Sequence, residues 1–227
     1  MRYDFLLFGD MKTTICTLIF LLLFISCKKD KTVILPNKII AGQKSGAGIS
    51  YFDFEPDIKC FISEPVQKQD TSIQLDLNHD EIFDFTIKQE MSNPLFRGIY
   101  YVTVTLIPLN NNEITVVSNK YPEPETITCK HSKLDWVKAL SKSDTIQSIN
   151  LWTNKKSLIY EYTNILNECW LEEGYWHSVV HLNDKYIGYK IIKGNKNYYG
   201  WIGMNADKSN LISFVITDYA IVLEYNE

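Results

Sequence analysis

The segment Ile99-Tyr-Tyr-Val-Thr-Val-Thr-Leu-Ile107 constrains this chain most. Nearly every position is β-branched or aromatic. Such residues suit a pleated, half-buried strand and lose side-chain freedom in a helix. Runs of the same kind recur along the chain. Ile49–Phe54 is followed by Pro56-Asp57 and then Ile58–Ile62; Ser72–Leu75 and Ile82–Ile87 come next. Asn110-Asn111-Asn112 makes a turn into Glu113–Val117, so 99–117 reads as a hairpin. Pro122 and Pro124 punctuate before Thr126–Cys129. Tyr186–Ile192, a Gly194–Asn197 turn and Tyr198–Met204 read as a second hairpin, with Leu211–Ile216 and Tyr219–Tyr225 as further strands. Many short strands with evenly spaced turns predict an all-β fold, an antiparallel β-sandwich-like domain, and not a βαβ sheet. One short helix is expected near 133–140: Leu134, Val137 and Leu140 recur every third residue behind Ser132, a plausible N-cap. Residues 141–178 give no clear pattern.

The other end of the chain speaks to address. An apolar run, Ile15 to Phe24, leads into Phe24-Ile25-Ser26-Cys27, and the chain then turns charged at Lys28, Lys29, Asp30 and Lys31. The run is shorter than the roughly 20 residues that span a bilayer. A short apolar core, a small residue and a cysteine resemble the lipobox of bacterial lipoproteins. Phe24 stands where that family usually has Leu. The resemblance implies cleavage before Cys27, lipidation of Cys27 and a membrane held through that lipid anchor. Residues 1–26 are then a signal peptide. Translation is expected to start at Met11, because Lys12 supplies the cation that Asp4 and Asp10 would offset. Residues 27–48 are expected to be a lipidated tether, flexible at Gly42–Gly48, and 49–227 a single all-β domain.

Removing the signal takes Arg2 and Lys12 together with Asp4 and Asp10, so the net charge stays at −4. No basic face for nucleic acid is expected. Cys60, Cys129 and Cys169 remain as thiols. An exported domain sees oxidising conditions, so one disulfide among the three is allowed, and the sequence does not choose the pair.

A strand with a central glycine (Tyr186-Ile-Gly188-Tyr189), a Gly-Asn turn, Tyr198-Tyr-Gly200-Trp201-Ile202 and a last strand opened by Asp218-Tyr219-Ala220 form a further resemblance. Residues 185–221 are similar to the C-terminal end of secreted β-rich lipoproteins of Bacteroidota. This implies an exported all-β protein, placed in the cell envelope and most simply the outer membrane, with no catalytic residues to carry over. Gly188 and Gly200 lie on paired strands, where missing side chains let an aromatic such as Trp201 pack over the backbone.

The sharpest chemical motif is Asp76-Leu77-Asn78-His79-Asp80-Glu81-Ile82-Phe83-Asp84. Side-chain oxygens of Asp76, Asn78, Asp80 and Asp84, with the Ile82 carbonyl, can converge on one hard cation, so calcium is the cofactor to expect. The pattern resembles the Asp-rich calcium loops of secreted bacterial proteins. Glu81 replaces the usual glycine and Ile87 the usual last acid. The competing reading is a polar turn whose side chains bond their own backbone. His177 and His181, on a strand, stand about 13 Å apart at roughly 3.3 Å per residue, too far to share zinc. Glu161, Glu168, Glu172 and Glu173 offer acid pairs that any acidic β-protein would offer. No Gly-x-Ser-x-Gly, phosphate loop or dinucleotide fingerprint is present.

These observations point to a lipid-anchored envelope protein, most simply a non-catalytic binding or structural β-module. Partners would be the membrane, and a glycan or another envelope protein. Trp152, Trp170, Trp176 and Trp201 make a carbohydrate-binding accessory lipoprotein the first alternative. A hydrolase is the second.

Overall fold

A computed structural model describes residues 38–61, 69–92, 100–117, 134–165, 169–173, 181–207 and 213–222. Among these residues every regular element is a strand, and the fold is all-β, as the density of β-branched and aromatic residues predicts. The strands are β1 (Lys38–Ile40), β2 (Ile49–Phe61), β3 (Gln69–Leu75), β4 (Phe85–Ser92), β5 (Tyr100–Pro108), β6 (Glu113–Val117), β7 (Trp136–Val137), β8 (Leu140–Ser141), β9 (Thr145–Gln147), β10 (Trp152–Thr153), β11 (Ser157–Ile165), β12 (Cys169–Glu173), β13 (His181–Lys193), β14 (Lys196–Asp207) and β15 (Ser213–Val222).

One large sheet runs β2-β15-β14-β13-β6-β7-β11-β5-β4-β3 and curls on itself. Its two halves bury a shared core. Phe85, Ile87, Val104 and Leu106 come from one half, and Ile187, Tyr189, Ile202, Phe214 and Ile216 from the other. Rings meet across the layer, Phe85 on Tyr189 at 5.5 Å and Tyr160 on Phe214 at 6.0 Å. The arrangement is sandwich-like, with a single parallel pairing, β7 with β11, among the described strands.

The expected C-terminal hairpin is present. β13 and β14 pair antiparallel from Lys193↔Lys196 to His181↔Asp207. Gly194 takes φ +58 at the tight turn, a conformation open to glycine without steric cost. β15 joins what the sequence suggested as two strands, with an irregularity between Ile216 and Asp218. The aromatic that fills the space over glycine is Tyr189, not Trp201: a Cβ on Gly200 would overlap the Tyr189 ring and the Ala220 carbonyl. The Tyr189 hydroxyl donates to that same carbonyl at 3.1 Å.

Three expectations need correction. The helix at 133–140 does not form in the described residues: Trp136–Val137 and Leu140–Ser141 are short strands. Val137 pairs with Val116, and Trp136 with both Val117 and Leu158, so the spacing of three reflects separate tertiary partners and not one helical face. The 99–117 hairpin is an arch. β5 pairs with β4 and β11, whereas β6 pairs with β13, β7 and β10, so the Asn110–Asn111 turn carries the chain between the two halves. Third, residues 38–48 are packed onto the domain and do not trail from it. β1 pairs with β9, and Ile39 and Ala41 are buried.

That N-terminal strap covers a second core on the outer face of β13–β15. Ile39, Ala41, Leu140 and Ile146 pack there against Tyr186, Tyr199, Trp201, Ala220 and Val222. The Trp201 Nε1–H donates to the Gln43 carbonyl at 3.2 Å. Lys44 pairs with the buried Asp218 at 2.9 Å and donates to the Tyr51 hydroxyl at 2.7 Å.

Candidate functional site: the Asp76–Asp84 loop

The loop joins β3 to β4, and its ends are fixed by the Asp84 N–H donating to the Leu75 carbonyl at 2.7 Å. The strand expected from Ile82 begins only at Phe85, so Ile82 and Phe83 belong to the loop, 56% and 46% exposed. Backbone amides inside the loop seek acceptors because no strand pairs with them. The acidic side chains supply those acceptors. Asp76 accepts from Asp80 N–H at 3.3 Å and Glu81 N–H at 2.9 Å. Asn78 accepts from Asp80 N–H at 3.0 Å, and Asp80 from Ile82 N–H at 3.1 Å. His79 and Glu81 adopt φ of 58° and 67°. Glu81 thus makes the left-handed turn that glycine makes more cheaply.

Asp84 is the buried member. One carboxylate oxygen accepts from Leu77 N–H at 2.8 Å and the other from the Asn112 amide at 2.9 Å. Asn112, itself buried, accepts from Ile192 N–H at 3.0 Å. Asn110 donates to the Phe83 carbonyl at 3.0 Å, and Lys193 pairs with Asp80 at 2.8 Å. On another side the His79 ring meets the Tyr219 hydroxyl at 2.7 Å, with the Phe52 ring against both. The loop is therefore pinned to the β5–β6 arch, the β13–β14 hairpin and β15 at once.

Its electrostatics are uneven. Burial pushes Asp84 up to about 6, and the neighbouring Asp80 and Asp76 charges push the same way. The Lys193 ammonium holds Asp80 below the usual carboxylate value. Burial raises Tyr219, and the Asp76 and Asp84 charges add to the shift. Lys193 thus pairs with Asp80, whereas Asp84 is held by the Leu77 N–H and the Asn112 amide.

The structure brings Asp76, Asn78, Asp80, Ile82 and Asp84 onto one short loop. Among the described residues no three His, Cys, Asp or Glu side chains stand as a ready metal cluster. The ordered arrangement is the polar turn, with the carboxylates engaged by amides. The donor chemistry still fits a hard cation, being all oxygen, as calcium requires. Sequence reasoning missed Asn112 and Lys193, which complete the polar network. The Asn110–Asn112 run was a visible signal, but it was read as a turn alone.

The other sequence candidates are separated from this site or undescribed. Cys27, Cys129, Glu168, Trp176 and His177 lie outside the described residues. So do the side chains of Cys60, Glu161, Cys169, Trp170, Glu172, Glu173 and His181, whose backbones lie in strands. Trp136 and Trp201 are buried, and Trp152 is half-buried against Tyr199, with the Lys190 ammonium 5.2 Å from its ring. Comparison with family models, curated proteins and solved structures found no match.

Proposed function

We propose that the chain is an exported lipoprotein acylated at Cys27, whose folded part is a non-catalytic binding or structural β-module of the cell envelope. One observation supports the choice of a module over a sugar-binding platform: Trp201 is fully buried in the second core, with its indole bonded to the strap. A stacking platform for sugar rings needs exposed aromatic faces. The Cys27 context supports the address. Replacing Cys27 by Ser in the full chain is expected to release it from membranes or leave it unprocessed. Membrane fractionation at mature size without an acyl label defeats the reading.

We further propose that the Asp76–Asp84 loop takes one calcium ion in a structural role. The observation favouring it is Asp84, a buried carboxylate flanked by two acidic neighbours. When bound, the cation would offset that charge, with Asp76, Asn78, Asp80, Asp84 and the Ile82 carbonyl as the holding groups. The residues themselves fix the loop: Leu77 N–H and Asn112 orient Asp84, and Asp76 holds the turn at Glu81. A ligand that binds only the native state stabilises it by RT ln(1 + [L]/Kd), about 2.7 kcal/mol at a hundredfold excess over Kd. Thermal melting of the full chain in millimolar calcium is expected to exceed that in chelator. Equal midpoints leave a polar turn and no more.

A further inference from the structure

We propose that the apolar patch formed by Ile149, Leu151 and Ile40 rests on the phospholipid surface in which the Cys27 acyl chains are seated. This rests on the lipoprotein reading above. Ile149 is 84% exposed, Leu151 55% and Ile40 39%. Ile149 and Leu151 line an open groove with Val117, Lys138, Thr145 and Gln147. Across the β1–β9 ribbon, Ile40 lies opposite Thr145 and Lys38 opposite Gln147. Lys38, the first described residue, and Ile40 thus pair with residues that line the same groove as Ile149 and Leu151.

Chain length decides the occupant. Lys38 follows Cys27 by eleven residues, which span at most roughly 40 Å when fully extended. A domain of this size has a radius of gyration of about 16 Å. The anchor therefore keeps the strap side within one domain diameter of the bilayer. Tethering converts docking into an intramolecular event at high effective concentration, so a small apolar patch is enough. Its charge agrees. Lys28, Lys29 and Lys31 follow the anchor, and Lys38 and Lys138 flank the patch, each attracted to anionic headgroups. Asp30 and Asp144 oppose them and are fewer. Among the described residues the other exposed apolar pair, Ile82 and Phe83, sits among Asp76, Asp80 and Glu81, a setting that repels an anionic surface.

The test uses the full acylated chain reconstituted in vesicles of phosphatidylethanolamine and phosphatidylglycerol carrying a photoactivatable phospholipid. Mass spectrometry reads acylation at Cys27 and lipid adducts along the chain. Adducts on the peptide holding Ile149 and Leu151 are expected. They should be lost in the Ile149→Glu, Leu151→Glu double variant, whose melting should match the parent because both positions are exposed. An acylated chain with adducts only elsewhere overturns the patch and leaves the anchoring reading standing. Cross-links from this peptide to a second copy of the chain overturn it in favour of self-association. A membrane-bound chain without acyl mass at Cys27 removes the anchoring reading and the patch with it.

Discussion

The strap and the Asp76–Asp84 loop are both pinned against the sandwich, but by different forces. The strap is held by area. Ile39, Ala41 and Ile146 leave water together with Trp201, and its ion pair with Asp218 has a lysine side chain still 55% exposed. The loop is held by direction. Its own apolar tip faces solvent, while amides, carboxylates and Asn112 fix its path. Apolar burial is insensitive to pH and ions, whereas hydrogen-bonded charge is sensitive to both. One region should therefore behave as a fixed part of the domain, and the other as its condition-dependent corner.

The largest effect should come from the strap side. Trp201→Ala removes a fully buried indole from the second core, and such truncations cost about 3–5 kcal/mol. Urea unfolding should show that loss equally in calcium and in chelator. A loss below about 1 kcal/mol would mean that the strap is not held by area at all. Next comes Asp84→Ala, which deprives Leu77 N–H and the Asn112 amide of their buried acceptor. Leaving such donors unmet costs about 1–3 kcal/mol. Unlike the Trp201 effect, this one should erase any stabilisation by calcium.

The pH response sharpens the contrast further. In chelator, folded Asp84 titrates near 6, above the unfolded value of about 4. The folded state then binds the extra proton, so the Asp84 contribution is full below the unfolded value and is lost as pH rises towards 6. Asp80, held down by Lys193, works in the opposite sense: its contribution is present above the ordinary carboxylate value and is lost as pH falls below it. The unfolding free energies of the parent and Asp84→Ala should converge between about pH 4 and 6 in chelator and diverge in calcium. A constant gap would show that Asp84 does not titrate with folding. The smallest effect is expected for Lys44→Ala, about 0–1 kcal/mol, because the lysine side chain is 55% exposed and water screens its charge. Asp218 keeps donors from Tyr51 and Thr217 in that variant. A larger loss in equilibrium unfolding would move part of the strap's hold from area to charge.

What was legible in the sequence follows the same division. β13, β14 and most of β15 were readable because dense β-branched and aromatic runs sit beside a glycine turn that forces reversal. The loop was readable as an Asp-rich turn because its hydrogen bonds are local, joining residues no more than five positions apart from Asp76 to Ile82. The strap was not. Gly42, Gly46 and Gly48 look like a flexible linker, and the burial of Ile39 and Ala41 depends on Trp201, far along the chain. β7 and β8 are two residues each, too short for any period to register. Asn110–Asn111 announced a reversal of direction, but a turn cannot state which strand will pair on its far side.

The pairing of β2 with β15 sets a timetable. Ile49 lies beside Val222 and Phe61 beside Ser213, so the first long strand is completed by the last one described. A chain made or threaded N-terminus first must hold β2 without its neighbour until β15 has emerged. Its unpaired edge is open to wrong partners throughout that interval. Non-local closure of this kind also makes folding slow. The arrival of β15 thus ends the vulnerability of β2, and a chain cut after Asp207 should leave the amides of β2 exchanging freely.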